Sequence, residues 1–480
     1  MVSIEDIIEA TGGELVSKGA ACLTGVSIDS RTIKKGELFI ALKGERFDGH
    51  EYVAKALETG GGAVINRTFN FQLSTFKDKA VIRVDDTLRA LQDLAAAIRR
   101  KFTGPVIGVI GSNGKTTTKE LIAAILGTRW KVLKTMGNLN NHIGMPLSIA
   151  GAEADVRAMV LEMGTNRPGD VDGLCRIAPP DTGVVTNIGY EHLEGFGSLE
   201  KVRDSELEIT PYVKTLVLNA DDAFLMKGAR EKIRGAKGAI RVVSFGINAE
   251  ADVSAGDIVL SDGAADSGAR YSLRAGGGRL DINSQLSGHF NIYNSLAAAA
   301  AAYAVGLGLK EIKAGLESFR GVNMRFEVRE ECGVTYLNDS YNANPSSMEE
   351  SVKELARRVG CPGDNGCRRK RAIAVLGDML ELGDYAVAAH ENLGKRMSEL
   401  PVEIFIGAGP LMAHAVAGFR GKGIHVGGSE EAGRELEKVV REGDVVLIKG
   451  SRGMRMEKVL SILQKSGTGE AARLSGGRGE

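Results

Sequence analysis

The residues of this chain with the most evident chemistry form a glycine-rich loop, GSNGKTTT, at positions 111–118. Gly111 and Gly114 allow the backbone to curl so that its N–H groups face an anion. Lys115 adds a positive charge for the outer phosphates of a nucleotide, and the Thr116 hydroxyl can ligate Mg²⁺. The loop therefore predicts a bound nucleoside triphosphate, ATP. The predicted phosphate contacts are Gly111, Ser112, Asn113, Gly114, Lys115, Thr116 and Thr117.

The elements on either side of the loop support this interpretation. The apolar run PVIGVI predicts a buried strand before the loop, and TKELIAAIL predicts a helix after it. Strand, glycine loop and helix in this order distinguish a phosphate loop from a chance glycine cluster. The strict pattern also has a glycine five residues before Gly114, where this chain has Val109. A glycine-rich turn that only caps a helix is the structural alternative.

The same alternation of strands and helices continues along the chain. The apolar runs AMVLEM, GVVTNI, TLVLNA and RVVSF are separated by helical or polar segments, which is typical of a doubly wound, mostly parallel α/β sheet. Residues 251–286 change to alternating strands with glycine-rich turns, so we expect an antiparallel flap there. The alanine-rich run SLAAAAAAYAVGLG then predicts a closing helix. Strands at VTYLNDS, RAIAVLGDM, EIFIGAG and DVVLIKGS predict a second, smaller doubly wound sheet.

A chain of 480 residues is too long for one hydrophobic core, and we expect an α/β protein of three domains. Residues 1–102 form a small α/β N-terminal domain, and 103–317 form the central P-loop domain with its flap. Residues 318–465 form a C-terminal Rossmann-like domain. The glycine-rich residues 466–480 lack an apolar period and predict a disordered tail.

Composition limits the classes of ligand. Lys plus Arg and Asp plus Glu both number 61, so no field of one sign points to nucleic acid or an anionic membrane. The five cysteines are scattered and odd in number, which argues against a disulfide framework. No uncharged stretch reaches about 18 residues. We therefore expect a cytoplasmic, monomeric protein with small-molecule ligands, no nucleic-acid partner and no membrane insertion. Two of the cysteines, Cys361 and Cys367, lie in a polar insert at 361–371 and are interpreted as surface thiols.

Further strings along the chain are more specific than the loop alone. In order, they are GSNGKTTT, TMGNLNNHIGMP, LEMGTNRPGD, TNIGYEHLEGFGS, LNADD, NDSYNANPSSM, VLGDMLELGD and KGSRGMRME. With this series the sequence resembles the Mur ligases over essentially its whole length, except the insert and the tail. The shorter G-x-x-G-K-T loop belongs to this family, which accounts for Val109. NDSYNANP and GDMLELGD favour the member that adds a dipeptide.

The resemblance implies an ATP-dependent ligase of cytoplasmic peptidoglycan precursor synthesis. Its substrates would be UDP-N-acetylmuramoyl-tripeptide and D-alanyl-D-alanine, joined through an acyl phosphate. Lys115 and Mg²⁺ would neutralise the charges that converge in the first step. Glu162 matches the family's metal-binding glutamate, and His192 matches the ligand of a second Mg²⁺. Both follow predicted central strands, where doubly wound sheets gather their ligands.

Contacts to the remaining parts of the substrates also follow from the resemblance. For adenine, ribose and phosphates it implies Asn291, Asn294, Arg325 and Asp339, with Phe290 where many relatives have a histidine. Each of these could instead be structural, since asparagine caps helices and surface arginine is common. For the UDP-sugar it implies Ser30, Arg31, Lys43, Gly44, Asp48, Gly49 and His50. For the dipeptide it implies Asn187, Asn342, Ala343 and Asn344.

One position departs from the family. Most Mur ligases carry, fourteen residues after the metal-binding histidine, a lysine that reacts with CO₂ to form a carbamate supporting the second Mg²⁺. Here that position is Glu206. Glutamate keeps the negative end group but is three bonds, roughly 3.5 Å, shorter than a carbamylated lysine. Our hypothesis is a CO₂-independent carboxylate near the metal. A plain helix-surface charge and an impaired enzyme are the alternatives.

Two other functions stay open at this point. The three domains could form a non-catalytic sensor of UDP-sugar or ATP, or the chain could be a relative that adds a single amino acid or glutamates. Retention of Lys115, Thr116, Glu162 and His192 together disfavours the sensor. The sequence does not distinguish lysine from diaminopimelate as the third residue of the tripeptide.

Overall fold

The computed structural model describes residues 3–19, 23–70, 75–236, 238–261, 268–360 and 370–464. Cys22, the insert residues 361–369 with Cys361 and Cys367, and the predicted tail lie outside the described residues. The described residues form three sheets, mostly parallel, with helices packed against them. The predicted α/β class with three sheets is confirmed.

The N-terminal sheet has the strand order β1-β5-β4-β3-β2, parallel except for the pair β1 and β5. Its strands are β1 (Glu14–Lys18), β2 (Gly25–Ser27), β3 (Glu37–Ile40), β4 (Gly62–Asn66) and β5 (Ala80–Val84), and its helices are α1 (Ile4–Thr11), α2 (Val53–Thr59) and α3 (Thr87–Lys101). Helix α1 begins with a capping box, in which Ser3 accepts from the Asp6 N–H.

The central sheet has the order β14-β13-β12-β11-β10-β9-β6-β8-β7. Its strands are β6 (Val106–Ile110), β7 (Val132–Lys134), β8 (Ala158–Glu162), β9 (Thr182–Val185), β10 (Thr215–Asn219), β11 (Arg241–Gly246), β12 (Val253–Ser261), β13 (Gly268–Ala275) and β14 (Gly278–Ser284). Its helices are α4 (Lys115–Leu126), α5 (Gly144–Ala150), α6 (Asp170–Ile177), α7 (Leu193–Phe196), α8 (Leu199–Glu206), α9 (Ala223–Arg234), α10 (His289–Ala304) and α11 (Leu309–Ser318).

The predicted antiparallel flap is a continuation of this sheet. Strands β12, β13 and β14 pair antiparallel with one another, and β12 joins the parallel strands by pairing with β11. The alanine-rich helix α10 packs against α4 and the sheet, and its alanines from 297 to 302 are almost completely buried. Small side chains let these elements approach closely, which fixes α10 beside the helix that follows the phosphate loop.

The C-terminal sheet has the order β15-β16-β20-β17-β18-β19 and is parallel except for β15. Its strands are β15 (Glu327–Glu331), β16 (Val334–Asp339), β17 (Ala372–Gly377), β18 (Ile404–Ala408), β19 (Lys422–Val426) and β20 (Val445–Lys449). Its helices are α12 (Pro345–Arg358), α13 (Ala386–Met397), α14 (Met412–Gly418) and α15 (Ser429–Val439). The four strand runs recognised in the sequence correspond to β16, β17, β18 and β20.

The N-terminal and central domains share packed surfaces. Helix α3 packs against α5, and its Ala95 belongs to the core of the central domain. In return, Ala150 of α5 belongs to the core of the N-terminal domain. Within the described residues, no helix is both long and hydrophobic enough to span a membrane.

Candidate active site

The loop from Gly111 to Thr118 connects β6 to α4, as the sequence predicts. Gly111 has a φ of 114°, and a Cβ on it would lie 2.3 Å from Thr186 Oγ1. Gly114 has a φ of 81°, and a Cβ there would lie 2.1 Å from Asn294 Oδ1. Only glycine combines these backbone angles with such close neighbours. In the part of the chain that the structure describes, no side chain caps the N-terminus of α4, so its first N–H groups remain available for an anion.

Neighbouring strands hold the loop in this shape. The side chain of Asn187, which follows β9, accepts from the Asn113 N–H at 3.1 Å and donates to the Asn113 carbonyl at 3.1 Å. Thr186 Oγ1 donates to the same carbonyl at 2.6 Å. The Asn187 amide thus helps to hold the phosphate loop, and its predicted contact with the dipeptide stays a prediction.

The loop lies at the edge of a cavity of about 1140 Å³ between the central and C-terminal domains. Sixteen of the predicted site residues line it: Ser112, Asn113, Gly114, Lys115, Thr116, Thr117, Glu162, Asn187, His192, Asn291, Asn294, Arg325, Asp339, Asn342, Ala343 and Asn344. Phe290 also lines it. Residues far apart in the sequence are therefore brought together around one space large enough for a nucleotide and a second small ligand.

Charges of both signs meet at Lys115. Its Nζ lies 3.4 Å from Glu191 Oε2 and donates to the Gly111 carbonyl. Burial lowers the pKa of Lys115, but the carboxylates of Glu191, Glu206 and Glu162 outweigh this effect and raise the pKa above its ordinary value. The lysine is therefore a permanent positive charge beside the open N-terminus of α4.

Glu162 is buried at the end of β8 and surrounded by donors. Its Oε1 accepts from the Thr116 hydroxyl at 3.2 Å and from Asn140 Nδ2 at 3.0 Å. Lys119 Nζ, fully buried, lies 3.4 Å from Oε2, yet that oxygen accepts no hydrogen bond from the described residues. The carboxylate thus stands next to the threonine hydroxyl with one oxygen unused.

The pair Thr116 and Glu162 fits a magnesium ion. Mg²⁺ prefers oxygen ligands and is held in nucleotide sites by one or two protein oxygens together with phosphates and water. Within the described residues, no group of three or more His, Cys, Asp and Glu side chains is arranged to hold a metal ion alone. The structure is consistent with a metal that depends on the nucleotide for most of its ligands.

His192 also lines the cavity and contacts the C-terminal domain. Its Nδ1 lies 2.6 Å from Glu381 Oε2, and the pKa of Glu381 is lowered by this contact. Glu381 belongs to the string GDMLELGD, but the sequence indicated no role for it. Its position beside His192 depends on the contact of two domains, which spacing along the chain does not encode.

Glu206 is not a helix-surface charge, so that alternative was wrong. Its side chain is completely buried at the end of α8, and its Oε2 accepts from the Gly111 N–H at 2.8 Å. Burial raises the pKa of Glu206; Lys115 lowers it, and Glu191 raises it further. Glu206 therefore holds the phosphate loop through the Gly111 N–H, and it does not line the cavity.

The C-terminal domain contributes several side chains to the cavity. Asn344 Nδ2 donates to Asn113 Oδ1 at 2.9 Å, and Asn113 Nδ2 donates to Ser346 Oγ at 2.9 Å. The Arg325 guanidinium lies over the Tyr341 ring at 3.9 Å and donates to the Thr116 hydroxyl at 3.4 Å. The phosphate loop is therefore in direct contact with the third domain.

The other residues predicted to contact the nucleotide form hydrogen bonds or ring contacts with neighbouring protein side chains. Asn294 Nδ2 donates to Asn291 Oδ1 at 2.9 Å, and the Phe290 ring meets Phe326 edge to face at 5.0 Å. Asp339 accepts from the Ser351 hydroxyl at 2.8 Å and from the buried Lys449. Burial lowers the pKa of Lys449. Their predicted contacts with adenine and ribose stay predictions.

The seven residues predicted for the UDP-sugar lie in the N-terminal domain, away from the lining of this cavity. They occupy two turns: Ser30 and Arg31 after β2, and Lys43 to His50 after β3. Within the second turn, Lys43 forms an isolated bridge with Asp48, and the Gly44 N–H donates to the Phe47 carbonyl at 2.9 Å. Gly49 packs against the backbone of Leu42, where a Cβ would lie 2.7 Å from the carbonyl oxygen.

His50 has a structural position in that turn. It is buried, with Nδ1 at 2.6 Å from Asp48 Oδ1 and Nε2 accepting from the Asn66 N–H at 2.9 Å. Arg31 forms an exposed ion pair with Asp29 at 2.7 Å. The role of these residues in sugar-nucleotide binding stays a prediction.

Sequence reasoning missed three charged residues of the site: Lys119, Glu191 and Glu381. Lys119 follows Lys115 by one helical turn on α4, so helical spacing could have indicated it. Glu191 directly precedes His192 in a loop whose conformation the sequence does not define. For Glu381, only the quoted motif offered a signal.

Comparisons with known proteins match three family models to three separate regions of the chain. Residues 23–99 match the Mur ligase family catalytic domain, 109–302 the Mur ligase middle domain, and 324–452 the Mur ligase glutamate ligase domain. A UDP-N-acetylmuramoyl-tripeptide–D-alanyl-D-alanine ligase of Bacillus subtilis is 33% identical, covering 97% of this chain and 98% of the relative. The ligase of the same name from Escherichia coli is also 33% identical, covering 97% and 99%.

Two solved structures superpose on nearly the whole of this chain. A crystal structure of MurF from Acinetobacter baumannii superposes with a TM-score of 0.83 at 29% identity, covering 97% of this chain and 99% of the other. MurF ligase from Thermotoga maritima in complex with ADP superposes with a TM-score of 0.78 at 30% identity, covering 92% and 97%.

Proposed function

The chain belongs to the Mur ligase family, and from this membership we propose that it is an ATP-dependent ligase joining D-alanyl-D-alanine to UDP-N-acetylmuramoyl-tripeptide in peptidoglycan precursor synthesis. Near full-length similarity to relatives with that name supports the choice of substrates. The observation that carries the proposal is the cavity in which the phosphate loop, Glu162 and the loop at 342–344 of the third domain meet.

The chemistry must turn a carboxylate, which is a poor electrophile, into a reactive acyl donor. The carboxylate oxygen of the tripeptide attacks the γ-phosphorus of ATP, giving an acyl phosphate and ADP. The amine of the dipeptide then attacks the acyl carbon; phosphate leaves, the amine loses a proton, and an amide forms. In the first step anionic groups approach each other, so positioning and charge neutralisation dominate the catalysis.

The residues of the cavity suit that task. Lys115 and the open N-terminus of α4 present positive charge to the phosphates, and Arg325 approaches Thr116 from the third domain. Thr116, Glu162 and His192 would hold Mg²⁺, which would neutralise further phosphate charge. Because groups from two domains border the same space, the domains together exclude water from the acyl phosphate.

The remaining substrate contacts are part of the proposal. The UDP-sugar would bind the N-terminal domain near Ser30, Arg31 and the turn from Lys43 to His50, and the dipeptide would bind near Asn342 to Asn344. A reaction that uses ATP and a UDP-linked sugar places the enzyme in the cytoplasm. We propose that it acts as a monomer.

Phosphate release tests the proposed function. With ATP, Mg²⁺ and the purified full-length chain, we expect release only when both UDP-N-acetylmuramoyl-tripeptide and D-alanyl-D-alanine are present. Assays with lysine-containing and diaminopimelate-containing tripeptides would identify the third residue. Mass spectrometry of the product should show one amide bond formed for each phosphate.

The other outcomes distinguish the remaining functions. Release stimulated by a single amino acid or by glutamate instead of the dipeptide would indicate a sister activity. Binding of ATP or the UDP-sugar without stimulated release would indicate a sensor, and the ligase assignment would then be wrong.

A further inference from the structure

Glu191 is a buried carboxylate that faces the nucleotide cavity and has no assigned role. Its side chain is 7% exposed and borders the cavity, with Oε2 at 3.4 Å from Lys115 Nζ. Its other oxygen, Oε1, is buried and accepts no hydrogen bond from the described residues. A buried carboxylate oxygen without a donor is costly, so it needs either a proton shared with the neighbouring Glu206 or a group from outside the protein.

Glu206 neighbours Glu191 and does not line the cavity. Its Oε2 is taken by the Gly111 N–H at 2.8 Å, and its Oε1 also has no hydrogen-bond partner among the described residues. The nearby charge of Glu191 contributes to raising the pKa of Glu206, which places the two carboxyl groups next to each other. Because burial raises the pKa of Glu206, its carboxyl group can keep a proton and donate it to Glu191 when no cation is bound; a cation at Glu191 would take the place of that proton.

With both carboxyl groups ionised, the local charge is unbalanced. Lys115 forms an ion pair with Glu191, and in the described part of the chain no other lysine or arginine pairs with Glu191 or Glu206. Two carboxylates that share one lysine leave an excess of negative charge in a buried site, and a cation offsets this repulsion. Lys119, the other buried lysine nearby, is paired with Glu162 and Glu120.

We infer that Glu191 is the carboxylate that faces the Mg²⁺ nucleotide in this chain, and that Glu206 is the buried support that positions Glu191 and the phosphate loop. The inference rests on the proposed use of Mg²⁺ and ATP. It reassigns the role predicted for Glu206: a glutamate at that position is too short to reach the cavity, and Glu191 reaches it from the neighbouring loop. A carboxylate supplied by a side chain needs no CO₂.

Metal binding tests the inference without the peptide substrates. Mn²⁺ titrated into the full-length protein with a non-hydrolysable ATP analogue, followed by electron paramagnetic resonance, reports the metal affinity directly. The variants are Glu191→Gln, Glu206→Gln and the exposed Glu200→Gln on the same helix as Glu206. Each is first checked by thermal unfolding, and Glu191→Asp serves as the conservative variant in case Glu191→Gln does not fold.

We expect Glu191→Gln to weaken Mn²⁺ binding by at least tenfold, while binding of the metal-free nucleotide is unchanged or tighter because a negative charge near the phosphates is lost. Glu191→Asp should recover part of the metal affinity. Glu206→Gln should weaken Mn²⁺ binding less than Glu191→Gln does, because glutamine can still accept a hydrogen bond from the Gly111 N–H. Glu200→Gln should bind as wild type does.

A loss in Glu206→Gln equal to or greater than that in Glu191→Gln would overturn the inference, as would wild-type Mn²⁺ affinity in Glu191→Gln. Activity of the wild type that requires added bicarbonate would overturn it as well. Failure of the two peptide substrates to stimulate phosphate release would refute the proposed function but leave the Mn²⁺ result intact, so the two failures are distinguishable.

Discussion

His192 Nδ1 and Glu381 Oε2 lie 2.6 Å apart, on opposite sides of the boundary between the central and C-terminal domains. Both residues have left-handed backbone angles, with φ of 45° and 63°. Non-glycine residues adopt this conformation at a cost, and such strain is concentrated at functional sites. The Glu194 N–H also donates to the Glu381 carbonyl at 3.2 Å. A predicted metal ligand is therefore oriented by a residue of another domain.

Removing Glu381 should weaken the coupling between domain contact and nucleotide binding. For Glu381→Ala we expect KM for Mg²⁺-ATP to rise by about fivefold or less, because a partly exposed ion pair contributes up to ~1 kcal/mol. Glu391→Ala, an exposed glutamate on α13, is the matched control. Steady-state kinetics would measure both, and equal KM values for the two variants would contradict the role of Glu381.

ATP is expected to hold the domains together. Since groups from the central and C-terminal domains border one cavity, ATP should favour the closed arrangement, with hinges near residues 102 and 318. Small-angle X-ray scattering should show a smaller radius of gyration with ATP than without it. Identical profiles would count against nucleotide-driven closure.

Lys115 should be required for the chemical step. Replacing it with Met removes the positive charge beside the phosphates, and phosphate release should fall by roughly 10² to 10³. Lys131→Met, an exposed lysine of the central domain, should retain wild-type activity. A tenfold or smaller loss in Lys115→Met would mean that other groups neutralise the transferred phosphate.

Asn344 should have two separable roles. It caps α12 by accepting from the Ser347 N–H at 2.8 Å, and it donates to Asn113 in the phosphate loop. Asn344→Ala should lose about 1 kcal/mol of unfolding free energy together with nucleotide affinity. Asn344→Asp keeps the cap and should lose nucleotide affinity alone, as measured by chemical denaturation and calorimetry. If Asn344→Asp bound ATP as wild type does, the contact with Asn113 would have no role in binding.

Acid should destabilise the C-terminal domain through His390. This residue is fully buried, its Nε2 accepts from the Met379 N–H at 3.0 Å, and burial lowers the pKa of His390 below its ordinary value of 6.5. The folded state binds the proton on His390 less tightly than the unfolded state does. Neutral His390 therefore contributes to the free energy of unfolding above pH 6.5, and this contribution is lost as the pH falls through the lowered pKa.

The pH dependence of the melting temperature checks this prediction. Below pH 6.5 the wild type should lose stability more steeply than His390→Asn, which cannot be protonated. His142→Asn, an exposed histidine, should follow the wild type. Parallel curves for wild type and His390→Asn would show that His390 does not control acid stability.

Much of the fold could be predicted because it depends on local patterns. The apolar runs before Gly111 and at Glu162 are strands that are buried on both faces, and such strands read as continuous hydrophobic segments. Strands β7, β15 and β19 were missed. They are short or largely polar and lie at sheet edges, where half of the residues face solvent and the hydrophobic pattern is weak.

The sequence by itself determined the phosphate loop, the parallel α/β architecture and the family, since these depend on residue type and spacing within single segments. Only the tertiary structure decided which carboxylates face the cavity. Counting from His192 led to Glu206, but the end of α8 buries that side chain beneath Gly111 and leaves Glu191 at the surface of the cavity. Side-chain direction and the contact of separate domains, as between His192 and Glu381, are set by packing between distant segments, which spacing along the chain does not encode.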